Sequence, residues 1–456
     1  MTDCAITRQI IALRHLGPTI SLASVCFDFR LQTLGFGLRT LDSSMCGIAA
    51  IFNYRTGEPI DRAELMRIRD AMTARGPDGC GEWISPDCRL GLGHRRLSII
   101  DLSPTGAQPM KSADGKLVVT FNGEIYNYRQ LRSELEKKGH RFQSTSDTEV
   151  LLHLYETEGE SMVSKLRGMY AFAIWDGRKQ GLFIARDPFG IKPLYLADDG
   201  KTLRVASQVK ALLAGGHVDI AVEPAGHVGF FLWGYVPSPY TLYRGIRGLP
   251  AGTTLWIDQS GNRRQNQFCS IPGILAAAEQ GLQHHPGSQP STPNSQPTER
   301  LRSALVDSIR HHLIADVPVG VFLSSGLDST TITALASESG TNLRTVTLAF
   351  EEFRDKPEDE SPLAAEVAAR CGARHQTVWV SKDEFKDNFS RVMQAMDQPS
   401  CDGINSFFVS FAAARAGLKV ALSGLGGDEL LGGYPAFQEI PRSVRLLNRS
   451  SKLEQS

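Results

Sequence analysis

Apolar residues recur at helical spacing across residues 61–74, behind Asp61 and ahead of the run Arg75-Gly76-Pro77-Asp78-Gly79, which predicts a capped helix ending in a turn. Residues 46–52 begin with a cysteine, continue with small residues and become β-prone, a pattern suited to a strand. Residues 118–121, 171–175 and 182–185 also read as strands, the last two as a pair. β-Prone residues follow the arginine pair in 93–101, and Ser146 caps a helix running to about residue 155. Beyond residue 299 the pattern changes. An amphipathic helix over 300–315 precedes the nearly uninterrupted apolar run 317–323, as expected of a buried parallel strand. Residues 330–337 read as helix, 345–350 as a second buried strand and 420–422 as a shorter one.

Between these regions the pattern weakens. Gly234-Tyr235-Val236-Pro237-Ser238-Pro239 and 245–252 are turn-rich, and 262–298 is dominated by Gln, Ser, Pro, Asn and His. His284-His285 lies in this stretch. Adjacent histidines suit a metal, but in a polar linker they are more often only solvated, and no function is assigned there.

Composition excludes several classes. A chain of 456 residues that is 41% apolar has room for two or three domains. Lys+Arg and Asp+Glu balance at 49 each, so no overall field recruits nucleic acid or an anionic membrane. Eight cysteines without C-x-x-C pairs or His spacings argue against both a zinc site and a disulfide framework, and fit a reducing cytosol. No apolar run approaches the length of a membrane span. Residues 1–44 carry a short apolar patch, 19–27, behind Arg8 and Arg14, but it is brief and leads into Asp28, Arg30 and Arg39. The preferred account sets residues 1–45 upstream of the functional start; the second is a removable propeptide.

Candidate chemistry begins at Met45-Cys46. If Met45 initiates translation and is removed, Cys46 carries both a thiol and a free α-amine able to take the thiol proton. The plainer reading is an inert cysteine on a core strand, the commoner case for a cysteine taken alone. Asn122-Gly123, at the end of the 118–121 strand, is ordinarily a hairpin turn. It also offers a side-chain amide and an unhindered backbone N–H, the donors an oxyanion hole needs.

Five motifs occur in order: Cys46-Gly47-Ile48, Arg75-Gly76-Pro77-Asp78, His94-Arg95-Arg96-Leu97-Ser98, Asn122-Gly123-Glu124 and Ser146-Asp147. Together they resemble the glutaminase domain of the N-terminal-nucleophile (class II) glutamine amidotransferases. The resemblance implies an αββα sandwich that hydrolyses glutamine to glutamate and ammonia. It implies Cys46 as nucleophile, its α-amine as base, and Asn122 and Gly123 as oxyanion donors. Arg96 would fork onto the glutamine α-carboxylate, with Leu97, Ser98, Ile99 and Ile100 beside it. Glu124 and Asp147 would lie near the substrate amino group. Arg75, Asp78 and Arg95 read instead as loop braces through ion pairs, and Arg186 and Asp187 as structural.

In the second half, the strand at 317–323 delivers Ser324-Ser325-Gly326-Leu327-Asp328-Ser329 to a helix, an arrangement that lets backbone N–H groups hold phosphate. This loop resembles the pyrophosphatase loop of asparagine-synthetase-type ligases, Ser-Gly-Gly-x-Asp-Ser, with Ser325 in place of a glycine. Residues 420–422 feed Ser423-Gly424-Leu425-Gly426-Gly427-Asp428-Glu429, where the family has a second acid. The resemblance implies Leu323, Ser324, Ser325, Gly326, Asp328, Ser329, Leu348, Ser423 and Gly424 around ATP, and Asp328 and Asp428 on Mg²⁺. An ordinary Rossmann-like reading makes both aspartates helix caps.

The whole resembles the glutamine-hydrolysing asparagine synthetase family: α/β and α+β, an N-terminal-nucleophile sandwich followed by a parallel-sheet ATP pyrophosphatase domain. Expected boundaries are 46–215 for the glutaminase domain, 216–298 for the connector and linker, and 299–456 for an ATP-binding domain that stops short of the family's usual length. The implied enzyme passes ammonia to a carboxylate activated by adenylation, yielding an amide, AMP and pyrophosphate. Its partners would be glutamine, ATP and a carboxylate acceptor, aspartate by default, with a homodimer compatible. Leu425 stands where the family motif has Glu, which points to an acceptor other than aspartate. A remnant that binds ligands without completing a reaction is the non-enzyme rival.

Overall fold

The computed structural model describes residues 45–283, 295–340, 342–428, 433–437 and 439–444. The expectations for 1–44, His284-His285 and Glu429 lie outside the described residues.

Two antiparallel six-stranded sheets form the first half. One contains β1 (Gly47–Asn53), β2 (Gly79–Ile84), β3 (Leu90–Arg96), β8 (Tyr195–Asp198), β9 (Thr202–Ala206) and β10 (Arg247–Gly248), in the order β10-β8-β9-β1-β3-β2. The other contains β4 (Met110–Lys111), β5 (Leu117–Ile125), β6 (Gly168–Asp176), β7 (Gly181–Arg186), β11 (Thr253–Asp258) and β12 (Arg263–Gln267), in the order β12-β11-β7-β6-β5-β4. The period-2 alternation of β1 explains why every one of its residues is buried. Ile48, Ala50 and Phe52 enter the core between the sheets with Val118, Ala173 and Ile184. Ala49 and Ile51 face the helices α1 (Arg62–Asp70) and α4 (Val209–Gly215) through Leu65, Ile68 and Leu212. On the far side Phe121, Phe172 and Phe183 pack beneath α2 (Tyr128–Lys137) and α3 (Asp147–Glu158), against Leu131, Leu135 and Leu151. The result is helix, sheet, sheet, helix.

The helix ends follow the sequence: Asp61 accepts from Ala63 N at the start of α1, and Ser146 from Thr148 N at the start of α3. Three local expectations change. The strand containing 118–121 continues to Ile125, so Asn122-Gly123 is no hairpin turn but lies opposite Ala171 and Tyr170 of β6. A Cβ on Gly123 would stand 2.1 Å from Met169 O, so the close approach of β6 requires glycine. β3 stops at Arg96, and residues 97–101 leave as a loop. The segment read as connector supplies β10, β11 and β12 to the sandwich and also holds α5 (Pro224–Trp233) and α6 (Ile271–Gln283).

The second half begins with α7 (Ser295–His312) and builds a parallel four-stranded sheet, β15-β14-β13-β16. Its strands are β13 (Val319–Phe322), β14 (Arg344–Phe350), β15 (Arg374–Val380) and β16 (Val420–Leu422). Helices α8 (Leu327–Ser337), α9 (Ser361–Arg370), α10 (Lys382–Ala395) and α11 (Gly403–Arg415) connect them. In the short piece after residue 427, Asp428 O accepts from Gly433 N at 2.9 Å.

Two helix ends join the halves. Asp397 accepts from Val209 N and Lys210 N, both at 2.9 Å, at the start of α4. Lys210 Nζ donates to Gln394 O at 2.7 Å and Ala395 O at 3.1 Å, at the carbonyl end of α10. An anion thus meets a helix N-terminus and a cation a C-terminus, the favourable pairing at both ends. Asp397→Ala should lower the unfolding free energy by about 1 kcal/mol, the usual loss for a helix cap. Urea titration checks this, with Asp397→Asn falling between the two.

Candidate active site

Cys46 stands immediately before β1, beside the loop that leaves β3. Its Sγ accepts from Leu97 N at 3.4 Å, and its carbonyl accepts from Arg75 Nε at 3.1 Å. Burial pushes the thiol up; the Leu97 N–H and the charges of Lys192, Arg75 and Arg96 oppose it. The pocket is lined by Cys46, Arg96, Leu97, Ile99, Ile100, Gln108, Asn122, Gly123, Glu124, Asp147, Thr148 and Lys192, among others.

Each polar group is held by the local fold. Arg96 donates to Ser103 O at 3.0 Å and to Asp101 O, and it has no carboxylate partner among the described residues. Asn122 is 1% exposed and its Nδ2 lacks a hydrogen-bond partner, a costly state for a buried amide that an incoming acceptor would relieve. Asp147, first residue of α3, accepts from Ile125 N at 2.9 Å, which ties the helix start to the end of β5. Burial raises Asp147 to about 6. It raises Glu124 to about 7, against the charge of Lys192 and helped by that of Asp147.

Among the expected glutamine-site residues, the structure gathers Cys46, Arg96, Leu97, Ile99, Ile100, Asn122, Gly123, Glu124 and Asp147 in one pocket. Ser98 is not among the lining residues; its N–H donates to Asp78 Oδ2 at 2.9 Å. Arg95 and Asp78 do form ion pairs, with Asp70 at 2.6 Å and Lys419 at 3.0 Å. Arg75 braces the chain through Cys46 O instead of an ion pair; it is 1% exposed and its Nη2 lacks a hydrogen-bond partner. Arg186 donates to Lys192 O and Leu249 O, while Asp187 accepts from the N–H groups of Phe189, Ile191 and Lys192. Both therefore hold the loop that carries Lys192. Lys192 itself escaped the sequence reading, although a single lysine in the apolar run 189–196 was a signal. Its Nζ lies 3.0 Å from Met45 Sδ, and burial lowers its pKa against the pull of Glu124. Gln108 was missed too; it accepts from Phe121 N at 2.7 Å and donates to Thr148 at 3.3 Å.

The candidate nucleotide residues sit at the C-terminal ends of β13, β14 and β16, where parallel sheets bind ligands. Ser329 Oγ accepts from Ser324 N at 3.1 Å and closes the first loop, and Ser325 N points to Glu360 Oε2 at 3.4 Å. Leu323 N donates to Val346 O at 2.9 Å, and Leu348 is half-buried on β14. The two loops abut: a Cβ on Gly424 would stand 2.9 Å from Asp328 Cβ, and one on Gly427 2.2 Å from Asp328 Oδ2. Small residues at both turns make a cradle suited to phosphate. The carboxylate of Asp328 at its edge suits a hard divalent cation.

A helix-sheet-sheet-helix sandwich with a cysteine at the head of its first strand has the architecture of the N-terminal-nucleophile amidotransferases, and here it is joined to a parallel-sheet domain. Residues 45–269 match the family described as glutamine amidotransferase domain, and residues 300–455 match asparagine synthase. The chain belongs to the glutamine-hydrolysing asparagine synthetase family. It is 36% identical to asparagine synthetase (glutamine-hydrolysing) 1 of Bacillus subtilis, over 89% of this chain and 61% of that one. A Methanocaldococcus jannaschii protein provisionally named asparagine synthetase 2 is 31% identical over 86% and 76% of the two chains. The amidase chry2 of Gibberella zeae is 30% identical over 86% and 60%. This chain therefore spans about three fifths of the Bacillus relative's length. Among the described residues, no helix is long and apolar enough to cross a membrane.

The raised carboxyls predict a pH effect. Folded Glu124 and Asp147 keep their protons to about 7 and about 6, well above unfolded acids near 4. Between those values the folded state binds more protons, so their contribution lowers stability as pH rises from about 4 to 7. Glu124→Gln should flatten this part of the curve, raising stability relative to the parent at pH 8 more than at pH 5. Thermal melts across pH check it, and an unchanged slope would refute the assignment.

Proposed function

We propose that this chain carries a glutamine-dependent, ATP-consuming amide ligase, with Cys46 as the nucleophile of its glutamine site. The observation carrying this reading is the unpartnered Nδ2 of Asn122 in the same pocket as Cys46 Sγ. An arginine without a carboxylate partner lines that pocket as well, a natural receptor for an α-carboxylate.

In this reading the mature chain begins at Cys46, and its α-amine removes the thiol proton. The amine would emerge beside Lys192, whose charge disfavours a second cation and so keeps the base neutral. The thiolate attacks the γ-carboxamide carbon, and Asn122 Nδ2 and Gly123 N donate to the developing oxyanion. The amine returns its proton to the leaving nitrogen as the C–N bond breaks. Ammonia departs, leaving a thioester that water hydrolyses to glutamate. Arg96 holds the α-carboxylate; Glu124 and Asp147, ionised when the substrate ammonium binds, hold the amino group.

ATP is proposed to bind at Leu323, Ser324, Ser325, Gly326, Asp328, Ser329, Leu348, Ser423 and Gly424. It would activate a carboxylate for amide formation, with AMP and pyrophosphate as products. Mg²⁺ on Asp328 would supply charge to offset that of the departing pyrophosphate. Aspartate is the default acceptor. Leu425 favours a second reading. It is 49% exposed on the loop beside Asp328 and offers neither a base nor a carboxylate to position ammonia, so a different carboxylate would be amidated.

The test separates the two chemistries in the full-length protein. Cys46→Ala should abolish glutamine hydrolysis and spare ammonia-dependent pyrophosphate release. Asp328→Asn should do the converse. Asn122→Ala should lower glutaminase kcat by about 10²- to 10³-fold, the usual loss for one oxyanion donor. Pyrophosphate release measured with aspartate and with larger carboxylates decides the acceptor. Undiminished glutaminase activity in Cys46→Ala would end the proposal.

A further inference from the structure

A second cluster lies on the outer helix layer. His140 follows α2, and His153 and Glu156 lie one turn apart on α3. The Nδ1 atoms of the two imidazoles face each other at 3.1 Å, and one ring nitrogen of each histidine and a Glu156 carboxylate oxygen all lie within 4.8 Å of one another.

The surroundings orient both rings and fix the tautomer of His140. Thr157 Oγ1 donates its one proton to His153 O at 2.8 Å, so it can only accept from His140 Nε2, 3.1 Å away. His140 therefore carries its proton on Nε2. His153 Nε2 faces Glu149 Oε1 at 3.6 Å. Glu149 is anchored by Gln143 N at 2.8 Å and Ser144 N at 2.7 Å, so His153 Nε2 faces a fixed carboxylate. His140 Nδ1 therefore presents a lone pair to His153 Nδ1, an arrangement that a shared proton or a bound cation satisfies.

We propose that His140 Nδ1, His153 Nδ1 and Glu156 bind a divalent transition-metal ion of the zinc class. Zinc–nitrogen bonds of about 2.0–2.1 Å at tetrahedral angles separate two imidazole nitrogens by about 3.3–3.4 Å, close to the spacing present. Imidazole donors select zinc, nickel or copper over magnesium and calcium. Thr157 and Glu149 hold the outer ring nitrogens, as second partners of metal-bound histidines do. Glu156 Oε1 also pairs with Arg178 at 2.7 Å, which leaves its other oxygen for the metal, and water completes the set. Cysteine spacing gave no hint of this site because no cysteine takes part. The ion would tie α2 to α3, the helix whose first residue is Asp147.

The experiment uses the full chain stripped of metal and titrated with Zn²⁺ by calorimetry and with Co²⁺ by absorption. One equivalent should bind, with visible Co²⁺ bands and no thiolate charge-transfer band. The melting temperature should rise with Zn²⁺. His140→Ala and His153→Ala should each abolish both effects, and Glu156→Gln, at an exposed position that folding tolerates, should weaken binding at least tenfold. Equal binding by the His140→Ala/His153→Ala double variant, or a thiolate band, would overturn the site. So would no uptake by the parent, since the two rings would then share only a proton.

Discussion

The structure depends on how the head of β1 is held. Cys46 there lies in a pocket lined by charged groups, and burying an ion costs several kcal/mol unless other groups satisfy it. The chain meets that cost largely with its own backbone. Arg75 donates to Cys46 O, Arg96 to two carbonyls, Arg186 to three, and Asp147 and Asp187 accept from backbone N–H groups. Loops that would otherwise be free in register are thereby fixed around single side chains. Asn122 Nδ2 and Arg75 Nη2, donors left without partners, belong to residues around Cys46.

The same economy links the halves. Asp316, just before β13, accepts from Asp101 N at 2.8 Å and donates its own N–H to Ile99 O at 3.0 Å. Lys419, just before β16, pairs with Asp78, which also holds Ser98 N. The residues leading into both strands thus touch loops near Cys46, and the strands end at the candidate nucleotide loops.

Local pattern revealed what local physics decides. Helix starts at Asp61 and Ser146, the apolar strands β13 and β16, and the small-residue turns were legible because caps, periodicity and glycine act within a few residues. The turn that Asn122-Gly123 ordinarily marks does not form, because its extended conformation is imposed by β6, which is distant in sequence. The strands β10–β12 were hidden in a turn-rich, polar stretch; all five residues of β12 are exposed on a sheet edge, where apolar alternation is not needed. Lys192 was missed as a pocket residue, and the burial of Arg75 went unforeseen, for a related reason. A charged side chain signals solvent unless the fold is known to bury it. The His140–His153 pair, 13 residues apart, likewise becomes visible only when two helices meet.

The central claim is that Cys46, once freed at its amino group, is the nucleophile for glutamine. It is tested most directly by treating the protein with a glutamine analogue bearing an electrophilic γ-carbon and mapping the adduct by mass spectrometry. The account predicts a single adduct on Cys46, confined to molecules whose chain begins at Cys46 and prevented by excess glutamine. Equal labelling of molecules that retain upstream residues, or labelling of another cysteine with Cys46 untouched, would contradict it.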